Sequence, residues 1–264
     1  MATRDYAAIA LGYARGVVDQ VIPTSIYTQL ACQRTLDDIE ASKYPDYPYE
    51  WSAEKVTHVC GFMERLPLVK GMKGQPLLRL EPWQVWWISQ LFGWVERHGP
   101  RKGMRRFSMG HIEVARGNGK SALCSGLLLY MTAFDGEAGA ECYAVATDER
   151  QAEIVFRDAM AMGQHRKASK LMKGKRVSFT ANNIIHQASY SKATALSGDP
   201  RTKDGLNIHF AVVDELHAHP TRDMWDVIVT GAAKRDQSMI LAITTAGFDL
   251  SGVCYEQRDY LIKC

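Results

Sequence analysis

Apolar residues recur with two different periods along the chain, and the change falls near residue 105. Before it, helical spacing dominates. Candidate helices cover 5–18 and 25–40, a proline- and tyrosine-rich connection KYPDYPYEW follows, and a third helix spans 52–65. Pro82, suited to a first helical turn, opens EPWQVWWISQLFGWVER, in which Trp83, Trp86, Trp87, Ile88, Leu91, Trp94 and Val95 fall on one broad helical face, predicted to be core. Beyond residue 105, strand and helix candidates alternate: RFSMGHIEVA, a helix over 120–134, ECYAVAT, and a helix over 148–163. RVSFT, NIIHQAS and HFAVV follow, then a helix over 222–235 and MILAITT. This alternation predicts βαβ units and a mostly parallel sheet covered by helices. HFAVV and MILAITT are apolar throughout, as central strands buried on both faces are. The final stretch, GVCYEQRDYLIKC, reads as a helix with neither cap nor breaker after it.

Composition narrows the class without naming a function. The 264 residues are 46% hydrophobic and 23% charged, enough for a core that needs no covalent staples and unlike a disordered or fibrous chain. The six cysteines are scattered with no CxxC pair, which fits a reducing cytoplasm and neither a zinc site nor a disulfide framework. No signal peptide is evident, and the longest uncharged apolar run, 121–134, is well short of the roughly 20 residues that span a bilayer. A soluble protein without membrane partners is expected. Net charge is +3, from 32 basic and 29 acidic residues, too close to balance to signal nucleic acid by itself. Two basic clusters, RKGMRR at 101–106 and HRKASKLMKGKR at 165–176, could each track phosphates or simply form solvated faces.

The strongest chemical signal is VARGNGKSA, placed where a strand ends and a helix begins. Glycines permit close backbone approach, amides gather at a helix N-terminus, and a lysine and a hydroxyl stand side by side, which together make a phosphate cradle. On this reading the amides of Gly117, Asn118, Gly119, Lys120 and Ser121 hold the phosphate chain of ATP, Lys120 contacts the β and γ phosphates, and Ser121 ligates Mg²⁺. The match to GxxxxGK[ST] is incomplete, since Val114 stands at the first glycine position. HFAVVDELHAH is an apolar strand ending in two carboxylates, and a parallel sheet delivers such ends to the edge where the phosphate loop lies. Asp214 is expected to hold Mg²⁺ through water and Glu215 to accept the proton of the attacking water. His217 and His219 are read as solvated or supporting groups, because Mg²⁺ prefers oxygen ligands. ILAITTAGF ends a third buried strand in Thr244 and Thr245, hydroxyls able to sense the γ-phosphate or its water; the simpler reading is two β-branched residues capping a loop.

With these elements in order, the stretch from about Leu80 to about Gly252 resembles the ATPase domain of the large terminase subunit of tailed double-stranded DNA bacteriophages. The resemblance is carried by LEPWQ, ARGNGKS, ATDERQAEIVF, DPRTKDGLN, VVDELHAH and ITTAG. It implies a P-loop NTPase fold of the ASCE, RecA-like kind: α/β, with a helical N-terminal segment over 1–80, an ATPase core over 81–252, and the start of a linker helix over 253–264. It implies that Gln84 reads adenine, that Arg116 reaches the γ-phosphate in cis, and that Arg201 acts on a neighbour's site in trans, with Arg222 and Arg235 as further candidates. The implied partners are double-stranded DNA, a portal protein, a small terminase subunit and other copies in a ring when packaging, with a monomer as the expectation for the isolated domain, all in the cytoplasm of an infected bacterium. No nuclease activity is expected from these residues. A helicase-like DNA translocase and a small-molecule kinase are the alternatives, since both share a phosphate loop.

Overall fold

The computed structural model describes residues 4–71, 76–146, 149–196, 205–219, 221–245 and 252–263. The chain divides into two compact units, one of 1–64 with 79–108 and one of 65–78 with 109–264. The helix bearing Gln84 therefore groups with the N-terminal helices, whereas the sequence reading began the ATPase core at residue 81.

In the first unit, α1 (Tyr6–Val18), α2 (Ile26–Ala41) and α3 (Ala53–Met63) are each started by a side-chain cap, with Asp5, Ser25 and Ser52 accepting from the N–H of Ala8, Thr28 and Lys55. Such caps satisfy donors that a helix cannot pair internally. Between α2 and α3, β1 (Tyr49–Trp51) has no counterpart in the sequence reading. The helix α4 (Pro82–Gly93) starts as expected but stops short of its predicted end, and residues 94–96 form β2 (Trp94–Glu96), antiparallel to β1. Trp94 and Val95 are core as predicted, but in a strand rather than on a helical face. Residues 94–96 leave the helix to pair with β1, and the chain turns at a close approach: a Cβ at Gly93 would lie 2.7 Å from Val56 and 3.3 Å from the Trp51 ring, space that glycine leaves clear. The Trp51 and Trp94 rings then pack edge to face at 5.1 Å.

The second unit is a seven-stranded sheet in the order β3-β9-β8-β4-β7-β6-β5. Its strands are β3 (Met109–Glu113), β4 (Glu141–Val145), β5 (Val177–Phe179), β6 (Ile184–His186), β7 (Ser191–Leu196), β8 (Ile208–Asp214) and β9 (Met239–Thr244). From β3 to β7 all neighbours are parallel, and the β7-β6-β5 edge is antiparallel, so the mostly parallel sheet is as expected. β9 lies between β3 and β8, the inserted strand that defines the additional-strand arrangement. Helices α5 (Lys120–Ala133), α6 (Glu149–Gln164), α7 (Arg166–Gly174), α8 (Asp223–Ala232) and α9 (Val253–Lys263) accompany it. β8 and β9 are buried along nearly their whole length, consistent with their unbroken apolar sequence. Two elements were not foreseen. β7 is made of small, mixed residues, SKATAL, and α7 occupies the second basic cluster.

Candidate nucleotide site

The sheet order brings three chain segments to one edge. β3 leads into the loop 114–119, β8 ends at Asp214, and the end of β9 lies between them, hydrogen bonded to both: Thr244 O accepts from the Val114 N–H at 3.1 Å and Ile243 O from the Glu215 N–H at 2.8 Å. This explains the missing first glycine. Val114 still pairs with β9, in a conformation open to any residue, while Gly117 and Gly119 take positive φ values of 85° and 75°. A Cβ at Gly117 would meet nothing within 4 Å, so its glycine serves backbone conformation and access from solvent.

The helix α5 begins at Gly119, which supplies no side-chain acceptor, in contrast to the first three helices. Its leading amides can therefore receive an anion, which the helix dipole also favours. Lys120 is buried, and its Nζ donates to the carbonyls of Val114 and Ala115 at 3.2 and 3.4 Å. Asn118 Nδ2 braces the loop by donating to the Ala115 carbonyl at 3.0 Å. Arg116 is exposed on the same loop and makes no ion pair among the described residues.

The opposing wall is acidic and interlocked. Burial, followed by the neighbouring Glu215 carboxylate, holds the Asp214 carboxyl above its usual range, while the Glu215 N–H, the Lys120 ammonium and His217 pull it back. Cys124, one helical turn after Lys120, is fully buried with its thiol pushed well up by burial and by Asp214, and it also feels Lys120 and Glu215. Glu215 adopts a left-handed backbone, φ 48° and ψ 52°, unusual for a residue with a side chain and costing about 1–3 kcal/mol. Its N–H also donates to Asp214 Oδ1 at 3.0 Å. Its Oε2 accepts from the Thr245 N–H at 3.2 Å and the Thr245 hydroxyl at 3.3 Å, and lies 3.3 Å from His217 Nδ1. Thr244 is fully buried, its hydroxyl committed to Thr245 O at 2.9 Å and His217 Nδ1 at 2.7 Å, so any sensing by Thr244 is indirect and Thr245 is the hydroxyl nearer the base.

The groups named for metal and phosphate thus suit a magnesium nucleotide: a half-buried carboxylate at Asp214 whose charge is disfavoured by burial and by Glu215, a hydroxyl at Ser121 on the first turn of α5, and uncapped amides. Among the described residues no cluster of three or more His, Cys, Asp or Glu side chains forms a ready-made metal cage.

Other candidates separate clearly. Gln84 is buried, its Oε1 accepting from the Glu81 N–H at 2.9 Å in a capping box, and Trp86 packs on Tyr13 and donates to Thr35 Oγ1. Arg201 lies outside the described residues. Arg235 is held by Glu137, Asn207 and the Ala138 and Gly139 carbonyls, and Arg222, although exposed, pairs with Asp226 and Glu256. Of the first basic cluster, Arg105 is buried over Phe92, and Arg106 pairs with Asp38 at 2.7 Å and stacks over Tyr49 and Phe107. These two arginines serve the packing of the first unit and not a phosphate-tracking face. In the second, Ala168 and Met172 turn inward from α7, leaving Arg166, Lys170, Lys173 and Arg176 exposed without ion pairs among the described residues.

Comparison with known proteins gives a consistent picture. The family model described as "Terminase large subunit, ATPase domain" matches residues 82–263. The large terminase subunit of Enterobacteria phage HK97 is 27% identical over 192 residues, 71% of this chain and 36% of that protein. Protein YmfN of Escherichia coli strain K12 is 43% identical over 63 residues, 24% of this chain and 14% of its own. The crystal structure of the HK97 bacteriophage large terminase shares the fold, with a TM-score of 0.64 and 23% identity over 79% of this chain and 41% of that one. The chain thus spans well under half the length of these relatives.

Proposed function

The chain belongs to the terminase large subunit ATPase-domain family, and from that premise we propose that it hydrolyses ATP in the crevice between 114–121 and 214–217 and uses the change to move double-stranded DNA into a viral procapsid. The observation that supports this reading is the sheet order, which carries the loop after β3, the end of β8 and the end of β9 to one edge, with Thr244 O and Ile243 O accepting from the N–H of Val114 and Glu215. Phosphate oxygens would replace the Val114 and Ala115 carbonyls as partners of Lys120 and would accept from the amides of 117–121. Ser121 and Asp214 would hold Mg²⁺, which when bound offsets phosphate charge. Glu215 takes the proton from water as its oxygen bonds to the γ-phosphorus and the bond to the bridging oxygen breaks, releasing ADP and phosphate, and Arg116 supplies positive charge to the transferred group in cis. Thr245 responds to the γ-phosphate, and Arg201 serves a neighbouring subunit's site in a ring that engages portal protein and small terminase subunit in the host cytoplasm.

The exposed cations of α7 are the DNA-facing surface in this account, because a motor that grips any sequence needs phosphate contacts rather than groove readers. No helix among the described residues is long and apolar enough to cross a membrane. Phosphate release, measured with and without double-stranded DNA and with small hydroxyl acceptors, tests the reading. Turnover that rises with DNA and ignores acceptors is expected; turnover that requires a small acceptor would make the protein a kinase.

A further inference from the structure

Beside the phosphate loop, the turn after β8 carries a histidine that the hydrolysis described above does not use. His217 stands on the single 3-10 turn Leu216–Ala218, half-buried, with Nδ1 2.7 Å from Thr244 Oγ1 and 3.3 Å from Glu215 Oε2. The protonation of this nitrogen can be read from its neighbours. The single hydroxyl proton of Thr244 has an acceptor in Thr245 O at 2.9 Å, leaving the oxygen's lone pairs for the His217 backbone N–H at 3.4 Å and for Nδ1. A bare Nδ1 lone pair facing a carboxylate oxygen would repel it. Nδ1 therefore carries the proton and directs it to Thr244, with Glu215 Oε2 3.3 Å away as a charged neighbour, so that this oxygen accepts from the Thr245 N–H and the Thr245 hydroxyl and is attracted by the proton-bearing Nδ1.

All three contacts to that oxygen lie between 3.2 and 3.3 Å, long for charge-assisted bonds, which are normally about 2.7–2.9 Å. The carboxylate is restrained but not tightly bound. Both of its donors sit on Thr245, and Nδ1 is oriented by Thr244, so the end of β9 governs every contact. That strand end is itself tied to the phosphate loop through Val114, and α9 packs against the 3-10 turn that carries His217.

We propose that His217 is a positioning residue for the general base, its Nδ1–H holding the Glu215 carboxylate in an orientation set by Thr244, so that movement of the β9 end by nucleotide or by α9 changes how the base is aimed. The inference rests on the ATPase reading for its kinetic consequence but not for its hydrogen-bond geometry. His217→Ala is expected to lower kcat roughly 10- to 100-fold, the range for loss of an orienting partner, with KM and affinity for a fluorescent ATP analogue within about twofold of wild type. His217→Asn, whose side-chain N–H can replace Nδ1–H, is expected to recover most of that loss. An alanine variant with wild-type kcat, or alanine and asparagine variants equally impaired, would overturn the proposal.

A second measurement is independent of turnover. In the nucleotide-free wild-type chain, ¹⁵N spectra of His217 should show a protonated Nδ1 and a bare Nε2, and Thr244→Val should disturb that pattern. A bare Nδ1 in wild type sinks the proposal even if the variants are slow or fail to fold. Absence of ATP turnover in the wild-type chain would instead count against the ATPase reading, while the spectrum still decides the role of His217.

Discussion

The loop at 114–121 and the turn at 214–217 border the same crevice but treat their polar groups in opposite ways. On the loop side, Gly119 leaves the first amides of α5 without a side-chain cap, Gly117 stands in open space, and Lys120 is occupied by two backbone carbonyls. On the acidic side, Glu215, His217, Thr244 and Thr245 satisfy one another, and Asp214 is closed in enough to disfavour its own charge. The difference separates two tasks. Groups that bind a charged ligand are held ready, with exchangeable partners, whereas the group that performs chemistry is held in an aimed position by a network. The same distinction divides the two basic clusters: Arg105 and Arg106 are spent on aromatic packing and an ion pair, while the cations of α7 face solvent.

Substitutions on the two sides should therefore fail differently. The largest effect is expected from Glu215→Gln, which should cut phosphate release about 10²- to 10⁴-fold while leaving nucleotide binding intact. Lys120→Ala should instead lose the binding itself, measured with the same fluorescent analogue; equal loss of binding in both variants would erase the distinction. Next, Arg106→Ala should destabilise the fold by about 3 kcal/mol in urea unfolding, since it leaves Asp38 without its half-buried partner and uncovers the Tyr49 and Phe107 rings.

Replacing Arg166, Lys170, Lys173 and Arg176 by Gln should leave unfolding unchanged but flatten the dependence of DNA affinity on salt by up to about 0.9 in log–log slope per cation lost. An unchanged slope would remove α7 from the DNA path. The smallest shift to be measured is in the melting temperature of Asp214→Asn. Because the carboxyl lies above its ordinary range, the folded state holds the proton more tightly than the unfolded chain does, so at neutral pH the ionised form costs stability. The neutral isostere should raise the melting temperature of the nucleotide-free protein slightly, while abolishing magnesium-dependent turnover.

Much of this was readable from local sequence. The apolar runs HFAVV and MILAITT became the buried strands β8 and β9, and GKS fell where a strand gives way to α5. What was hidden depends on distant partners. The early end of α4 follows from Val56 and Trp51 pressing on Gly93, a contact no window around residue 93 contains. β7 went unseen because Ser, Ala and Thr give little period-two contrast, and its identity comes from pairing with β4 and β6. The tolerance of Val114 and the role of His217 both depend on β9 lying between β3 and β8, a register set by residues more than 25 positions away.

A crystal structure of the chain with Mg²⁺ and a non-hydrolysable ATP analogue tests the shared crevice most directly. The account predicts phosphates on the amides of 117–121 and Lys120, the metal between Ser121 and Asp214, and Glu215 aimed at the γ-phosphate. A nucleotide bound elsewhere, or one whose γ-phosphate lies beyond reach of Glu215, would contradict it.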